Sequence, residues 1–353
     1  MGIMFFLNTL YPILFYFQVM DMTGRKRIIS MTLAVFLTAL VLMSAVFLSE
    51  RDKKFNLFEK STIAMGTVVT QKIYSENPGT AIKDISSIIN GLEDMISWRK
   101  ENSAVAKLNK NGTVENKYLG EVIYDMQSLS RLTEGKFDLT VGRVSRLWGI
   151  GEENQRVPTE NEIKEALETV GTDKVKAQGY TLTVDEGTLL DLGAIGKGYA
   201  CDLVYNYLSS TDIKGAIISV GGSVAAYGDY NKKGDKWRIA VTHPRDEEKY
   251  LGVISIDEGF VSTSGDYERY FEKDGKRYHH ILDATTGYPS ESGLVSVTVV
   301  AKSGVMSDAL STACLLVGEK KAIEILEGAG ASAILVDENL NITTVGEIEF
   351  EQQ

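Results

Sequence analysis

Proline is scarce in this chain of 353 residues, with five prolines against 33 glycines, and no Pro-rich stretch or long charge run divides it. A stiff linker between independent domains is therefore not expected, and beyond its N-terminus the chain reads as one compact unit. Cysteine is scarcer still. Cys201 and Cys314 sit in the apolar contexts GYACDLV and LSTACLLVG, without metal-ligand spacing, which excludes a zinc framework and predicts buried free thiols, a disulfide being the alternative. A basic excess is absent too. With 37 Lys and Arg against 48 Asp and Glu the net charge is −11, which argues against a nucleic-acid partner, because a phosphate backbone demands a clustered basic surface. Internal repeats and low-complexity tracts are also missing.

What is present is ordinary for a globular protein, 44% hydrophobic and 24% charged, so a sizeable core is expected. The N-terminus is different. Residues 28–48, IISMTLAVFLTALVLMSAVFL, form an uncharged apolar run behind Arg25, Lys26 and Arg27. At about 1.5 Å per residue it is long enough to cross a ~30 Å hydrocarbon core. The basic cluster should stay cytoplasmic, so the run reads as a signal anchor that leaves the rest of the chain on the extracytoplasmic side of the cell membrane. No small-residue cleavage site follows it. An earlier stretch, IMFFLNTLYPILFYFQVM, holds Asn8 and Pro12 and reads either as a second span or as an upstream extension, with Met20 and Met22 as alternative starts. The expected organisation is thus a targeting and anchoring segment over 1–50 and a folded domain over 51–353.

Along that domain the pattern predicts an α+β fold. STIAMGTVVTQKIY, residues 61–74, alternates as one strand, and helices are expected over roughly 78–95 and 118–133. YTLTVDEGTLLDLGAIGKGYACDLVYNYLSS reads as strand, turn, strand, Gly-rich turn and helix. GAIISVGGSVAAYG reads as a strand ending at Gly-Gly, KWRIAVTHP and YLGVISIDEGFVSTSG as further strands, and RYHHILDATTGYP as a polar loop. Strand, loop and helix follow in LVSVTVVAKSGVMSDALSTACLLVG, and SAILVDENLNITTVG closes the chain as a hairpin.

Four groups of residues carry candidate chemistry. DLGAIGKG has neither the G-x-G-x-x-G nor the P-loop spacing, yet glycines at a strand-to-helix turn admit close backbone approach, a helix N-terminus favours an anion, and Lys197 adds a charge. A plain turn with a solvated lysine fits that stretch equally well, and Asp202 beyond it reads as the start of a solvated helix face. Asp308 and Thr312 are one helical turn apart and would present a carboxylate and a hydroxyl to one point, a hard pair suited to Mg²⁺; Asp308 as a helix cap is the alternative. HHILDATTGYP places His280 and Asp283 in a polar loop suited to acid/base work, with His279 read as structural. Trp98 and Phe137 could offer flat faces to a ring system and Asp138 an acceptor, although both aromatics could equally be core residues.

These pieces occur in one order: MGT at 65–67, FDLTVG at 137–142, LDLGAIGKGYACD at 190–202, SVGGSVAAYG at 219–228, STSGDYERYF at 262–271, HHILDATTGYP at 279–289 and SDALSTA at 307–313. As a set, spanning about 60–345, they closely resemble the FAD:protein FMN transferase family, also called the ApbE family. That resemblance implies an α+β catalytic unit of two lobes with a cleft between them. It implies a transferase that uses Mg²⁺ and moves FMN from FAD, its substrate, onto a Thr or Ser hydroxyl of a partner flavoprotein, releasing AMP. The acceptor so implied is a flavin subunit of an extracytoplasmic redox complex.

Residue by residue, the resemblance puts the metal on the main-chain oxygen of Ala194 and the side chains of Asp308 and Thr312. It puts the flavin nucleotide on Met65, Asp191, Lys197 and Leu282, with Trp98, Lys136, Phe137 and Asp138 as further contacts. His280 corresponds to the histidine beside the scissile phosphate, and either it or Asp283 would take the proton of the incoming hydroxyl. Two departures stand out: the chain lacks the lipid-bearing cysteine that many relatives carry after their signal, and Trp98 stands where relatives often have tyrosine. Two competing expectations are a Mg²⁺-dependent FAD pyrophosphatase, with water replacing the acceptor hydroxyl, and a surface FAD-binding protein without turnover.

Overall fold

The computed structural model describes Met43, residues 56–231 and residues 234–353. The expected anchor at 28–48, Met43 excepted, and the apolar stretch before it lie outside the described residues, among which no helix is long and apolar enough to cross a membrane. The chain divides into Met1–Lys54 and Phe55–Gln353, and the fold belongs to the second unit.

Its frame is one eight-stranded sheet whose strands lie side by side in the order in which the chain makes them: Asn56–Ala64, Thr67–Ser75, Gly215–Val220, Ser223–Gly228, Gly259–Gly265, Leu294–Ala301, Ser332–Asp337 and Ile342–Val345. Every pairing is antiparallel. In Thr67–Ser75 the period of two is plain: Val69, Gln71, Ile73 and Ser75 are buried while the residues between them are partly or fully exposed. The helices are insertions between consecutive strands. Those of Ala81–Ile96 and Gly196–Ser209 come between the second and third strands, and Gly304–Val317 and Glu319–Ala329 between the sixth and seventh.

The main core fills the space between sheet and helices, and includes Ile73, Ile85, Leu208, Ala216 and Leu310. A separate cluster with Ile239, Val241, Ile254 and Val336 unites strands of the large sheet with a three-stranded sheet of Trp237–His243, Asp246–Ile256 and Glu349–Gln352. Cys201 and Cys314 are free and buried, as expected.

Several local expectations are corrected. Residues 61–74 are two strands of a hairpin turned at Met65 and Gly66, with φ of 53° and 67°. A two-residue turn with both φ positive matches strand twist, but methionine is not a residue that announces it. GAIISVGGSVAAYG is likewise two paired strands, with Val220 opposite Ser223. The second strand expected in TLLDLG reduces to an isolated bridge from Leu189 to Val141. The loop RYHHILDATTGYP begins as a strand, Lys276–His279. Helices Ala104–Asn111, Gly142–Trp148, Glu160–Leu167 and Glu319–Ala329 were not anticipated.

Candidate active site

Two helices, Gly196–Ser209 and Gly304–Val317, cross where each has a glycine. A Cβ on Gly198 would lie 2.0 Å from the Gly304 oxygen, and one on Gly304 would lie 2.2 Å from the Gly198 oxygen. Only glycine lets the backbones approach so closely. Each helix then caps the other. Asp308 Oδ2 accepts from the Gly198 N–H at 2.9 Å, while Asp202 accepts from the N–H groups of Gly304 and Val305 at 2.7 and 2.8 Å and from Ser303 Oγ at 3.1 Å. Asp202 is therefore a capping residue, not the start of a solvated face, since its carboxylate meets orphan donors at a helix N-terminus. Asp202→Ala is expected to cost about 1–2 kcal/mol, the usual worth of a side-chain cap, read as a fall in melting temperature. An unchanged melting temperature would remove this role.

The other Asp308 oxygen is unusual. Asp308 is 0% exposed, its Oδ1 has no hydrogen-bond partner, and Lys197 Nζ lies 3.6 Å away. Burial pulls the Lys197 ammonium towards neutrality, but Asp308 and Glu268 outweigh it and its pKa is raised. Lys197 thus stays cationic. Gly198, four residues after Ala194, gives its N–H to Asp308, so the Ala194 carbonyl lacks the donor that a continuous helix would supply. Thr312 lies one turn beyond Asp308 on the same helix.

One carboxylate oxygen, one carbonyl and one hydroxyl make a hard donor set, and the orphaned Oδ1 is the atom that needs a cation most. Among the described residues no group of three or more His, Cys, Asp or Glu side chains could hold a metal ion. A cation here would complete its shell with water and substrate oxygens, which is the habit of Mg²⁺. The residues present fit that ion.

Beside this crossing lies His280, half-buried. Its backbone N–H donates to the Arg269 carbonyl at 3.0 Å, and its Nδ1 faces the same oxygen at 3.3 Å. A carbonyl only accepts, so Nδ1 carries the proton and Nε2 keeps the free lone pair. Burial, then the Lys197 and Arg269 cations, push the imidazole from its ordinary 6.5 down to about 3. Arg269 in turn donates to the Gly66 carbonyl at 3.0 Å, tying the loop to the Met65–Gly66 turn. Met65 reaches the start of the Gly196 helix, where a Cβ on Gly196 would lie 3.3 Å from its Cε.

Sequence reasoning did not single out Glu268 or Arg269, though both lie inside STSGDYERYF. Glu268 is raised by burial, against which Lys197 acts, and a Cβ on Gly222 would lie 2.9 Å from its Oε1.

Other expected site residues are engaged as follows. Two guanidinium groups already cover the Trp98 ring, Arg99 at 4.1 Å and Arg146 at 4.7 Å from its centroid, and its Nε1 is buried without a partner. Asp191 accepts from Gly193 N–H at 2.9 Å and draws on Arg146, whose pKa burial lowers. Phe137 is corrected: at 2% exposure it is a residue of the main core, and its ring presents no open face. Asp138 is buried, with Oδ1 held by the Thr140 N–H and hydroxyl at 2.8 and 2.7 Å and Oδ2 by Ser130, so its carboxylate is taken by its own turn. Burial raises its pKa.

Leu282 packs with Val144, Trp148 and Ile163 in a small core of its own. Asp283 Oδ1 accepts from the Thr285 N–H and hydroxyl at 2.8 and 2.6 Å, and its Oδ2 lies 3.4 Å from Lys136 Nζ. Lys136 also donates to the Leu316 carbonyl at 3.5 Å, so this pair braces the loop against the far end of the Gly304 helix. His279 is buried, with Nε2 3.0 Å from the Ser290 carbonyl, the structural part expected of it.

With this geometry in view, the comparisons decide the family. The model of the ApbE family matches residues 65–335. This chain belongs to the ApbE family. An ApbE relative from Vibrio cholerae serotype O1, named FAD:protein FMN transferase, is 32% identical over 308 residues, 84% of this chain and 92% of its own length. One of the same name from Haemophilus influenzae is 30% identical over 330 residues, 88% of this chain and 93% of its own. Among solved structures, the ApbE protein of Thermotoga maritima superposes with a TM-score of 0.77 at 36% identity, covering 82% of this chain and 97% of that one. The apo flavinyl transferase ApbE of Pseudomonas stutzeri superposes with a TM-score of 0.74 at 29% identity, covering 83% and 96%. Mixed helix and sheet in the ApbE arrangement is thus the fold of the described domain.

Proposed function

We propose that this chain is a FAD:protein FMN transferase that works with Mg²⁺ and delivers FMN to a Thr or Ser hydroxyl of a partner protein. The observation that carries the site assignment is the buried, unpartnered Asp308 Oδ1 facing Lys197 at a helix N-terminus. Ala194, Asp308 and Thr312 would hold the ion, which when bound supplies charge neutralisation to the pyrophosphate. Lys197 contributes a fixed ammonium, whereas the N–H groups of Gly196, Gly198 and Tyr199 in the first turn of its helix are already taken by Leu192, Asp308 and Ile195. Met65, Trp98, Asp191 and Lys197 remain as nucleotide contacts, with Lys136, Asp138, Leu282 and Asp283 as supports of the surrounding loops.

In the reaction, the acceptor hydroxyl oxygen bonds to the flavin-side phosphorus of FAD as the bond from that phosphorus to the bridging oxygen breaks. The electron pair leaves with AMP. The hydroxyl proton passes to His280 Nε2, the one imidazole position whose lone pair is free, while Asp283 is occupied by Thr285. His280→Ala is expected to lower kcat about 10²-fold, the lower end for a general base, because burial and the Lys197 and Arg269 cations weaken the hold of this imidazole on a proton. Because the free imidazole titrates at about 3, kcat/KM should show no histidine limb between about pH 8 and 5, Nε2 staying deprotonated throughout. A limb at the ordinary histidine value would contradict that assignment.

An uncharged run behind Arg25, Lys26 and Arg27 supports anchoring in the cell membrane with the domain outside, and hence an extracytoplasmic flavin subunit as acceptor. Incubating the protein with FAD, Mg²⁺ and such a subunit tests the function. Acid-stable flavin fluorescence on the subunit supports transfer; free FMN and AMP with an unlabelled subunit would make the protein a pyrophosphatase.

A further inference from the structure

Three hydroxyls behind the proposed cation position form a chain with a fixed direction. Ser311 Oγ lies 2.8 Å from the Asp308 main-chain oxygen, and since a carbonyl only accepts, the single Ser311 proton points there. Ser264 Oγ lies 2.8 Å from Ser311 Oγ, whose proton is already committed, so Ser264 donates to Ser311. Thr312 Oγ1 lies 2.9 Å from Ser264 Oγ, whose own proton is now used, so Thr312 donates to Ser264. This is the direction in which all three hydroxyl protons find an acceptor within the chain, whereas the reverse would leave the Thr312 proton without one among these groups.

We infer that Ser264 is a positioning residue that draws the Thr312 proton away from the cation, leaving the Thr312 lone pairs to face it. A neutral alcohol can ligate a cation only with its hydrogen turned elsewhere. Here that orientation is built in. Ser264 is 7% exposed on the strand Gly259–Gly265, and Ser311 is 0% exposed, so water does not readily replace either as partner. The second, independent sign of a ligand is Asp308 Oδ1, buried without a partner on the same helix as Thr312. The inference rests on the reading of Ala194, Asp308 and Thr312 as cation ligands.

Its test is binding of Mn²⁺ alone to the full-length protein, followed by the paramagnetic signal of free Mn²⁺. Ser264→Ala should weaken Mn²⁺ binding about tenfold, the lower end of what loss of a partner to a metal ligand costs. Ser264→Thr, which keeps the hydroxyl, should restore it. Ser262 is a matched control. It lies two residues earlier on the same strand, is also buried, and bonds Ser223 and Ser307 at 3.0 and 2.7 Å, outside the Thr312 chain. Ser262→Ala should therefore lose melting temperature without losing Mn²⁺ affinity.

In a Thr312→Val background, Ser264→Ala should weaken binding no further, since there is no proton left to direct. Equal Mn²⁺ affinity in wild type and Ser264→Ala, or equal losses in the Ser264 and Ser262 variants, would overturn the inference alone. Absence of Mn²⁺ binding by the wild type would overturn the cation site itself.

Discussion

Asp308→Ala is expected to reduce FMN transfer on the order of 10³-fold while leaving a folded protein, because it removes the one carboxylate of the proposed cation site and the counter-ion of Lys197. Two effects add in this variant. Losing the bond to the Gly198 N–H costs stability, and so does leaving the Lys197 ammonium without its carboxylate. The melting temperature should therefore fall as well, and transfer is compared at a temperature where the variant is still folded. Steady-state transfer and thermal unfolding, measured on the same preparation, separate the loss of rate from the loss of stability. Near wild-type transfer in Asp308→Ala would end the metal assignment.

Gly198→Ala is expected to be strongly destabilising. Its Cβ would meet the Gly304 oxygen at 2.0 Å, the Gly304 carbonyl carbon at 2.6 Å and Asp308 Cβ at 2.7 Å. Two of those are backbone atoms, which cannot swing aside as a side chain does. Relief requires the helices to part, with a cost on the order of 3 kcal/mol and loss of the Asp308 and Asp202 caps together. A built-in comparison exists at Gly91, inside the helix Ala81–Ile96, where a Cβ would meet nothing within 4 Å. Gly91→Ala should stabilise by up to about 1 kcal/mol through helix propensity alone. Denaturant unfolding of the two variants gives opposite signs if the crossing is as tight as described, and the same sign if it is not.

Much of the fold was legible where its elements are amphipathic, as in the strand Thr67–Ser75 and the helix Ala81–Ile96. Ile85, Ile89 and Leu92 mark one face of Ala81–Ile96 and are buried there with Ala81 and Ile96. The capping box at Thr159 and Glu162 was also readable, and it opens the helix Glu160–Leu167 that periodicity missed over only eight residues. Met65 was not readable as a turn residue, since nothing in the alternation of 61–74 signals a left-handed backbone there.

At the site, spacing alone paired Asp308 with Thr312, the Gly-rich turn offered Lys197 and the polar loop His280, while the family motifs brought in Ala194 and joined these pieces. What no local pattern could supply is the contact between segments far apart in the chain. Asp202 looked like a helix surface because its partners, Gly304 and Val305, come some hundred residues later. Ser264 carried no signal as one serine among many until its neighbours on the Gly304 helix were known. Phe137 erred in the other direction, an aromatic in a functional motif that the core had already claimed.

The most direct test of the central claim is the intact mass of a flavin-subunit acceptor co-expressed with this chain. With the wild type the acceptor should gain one FMN in phosphoester linkage, and with Asp308→Ala it should not. An unmodified acceptor beside the wild type, with FAD consumed to free FMN and AMP, would contradict transfer and leave hydrolysis as the activity.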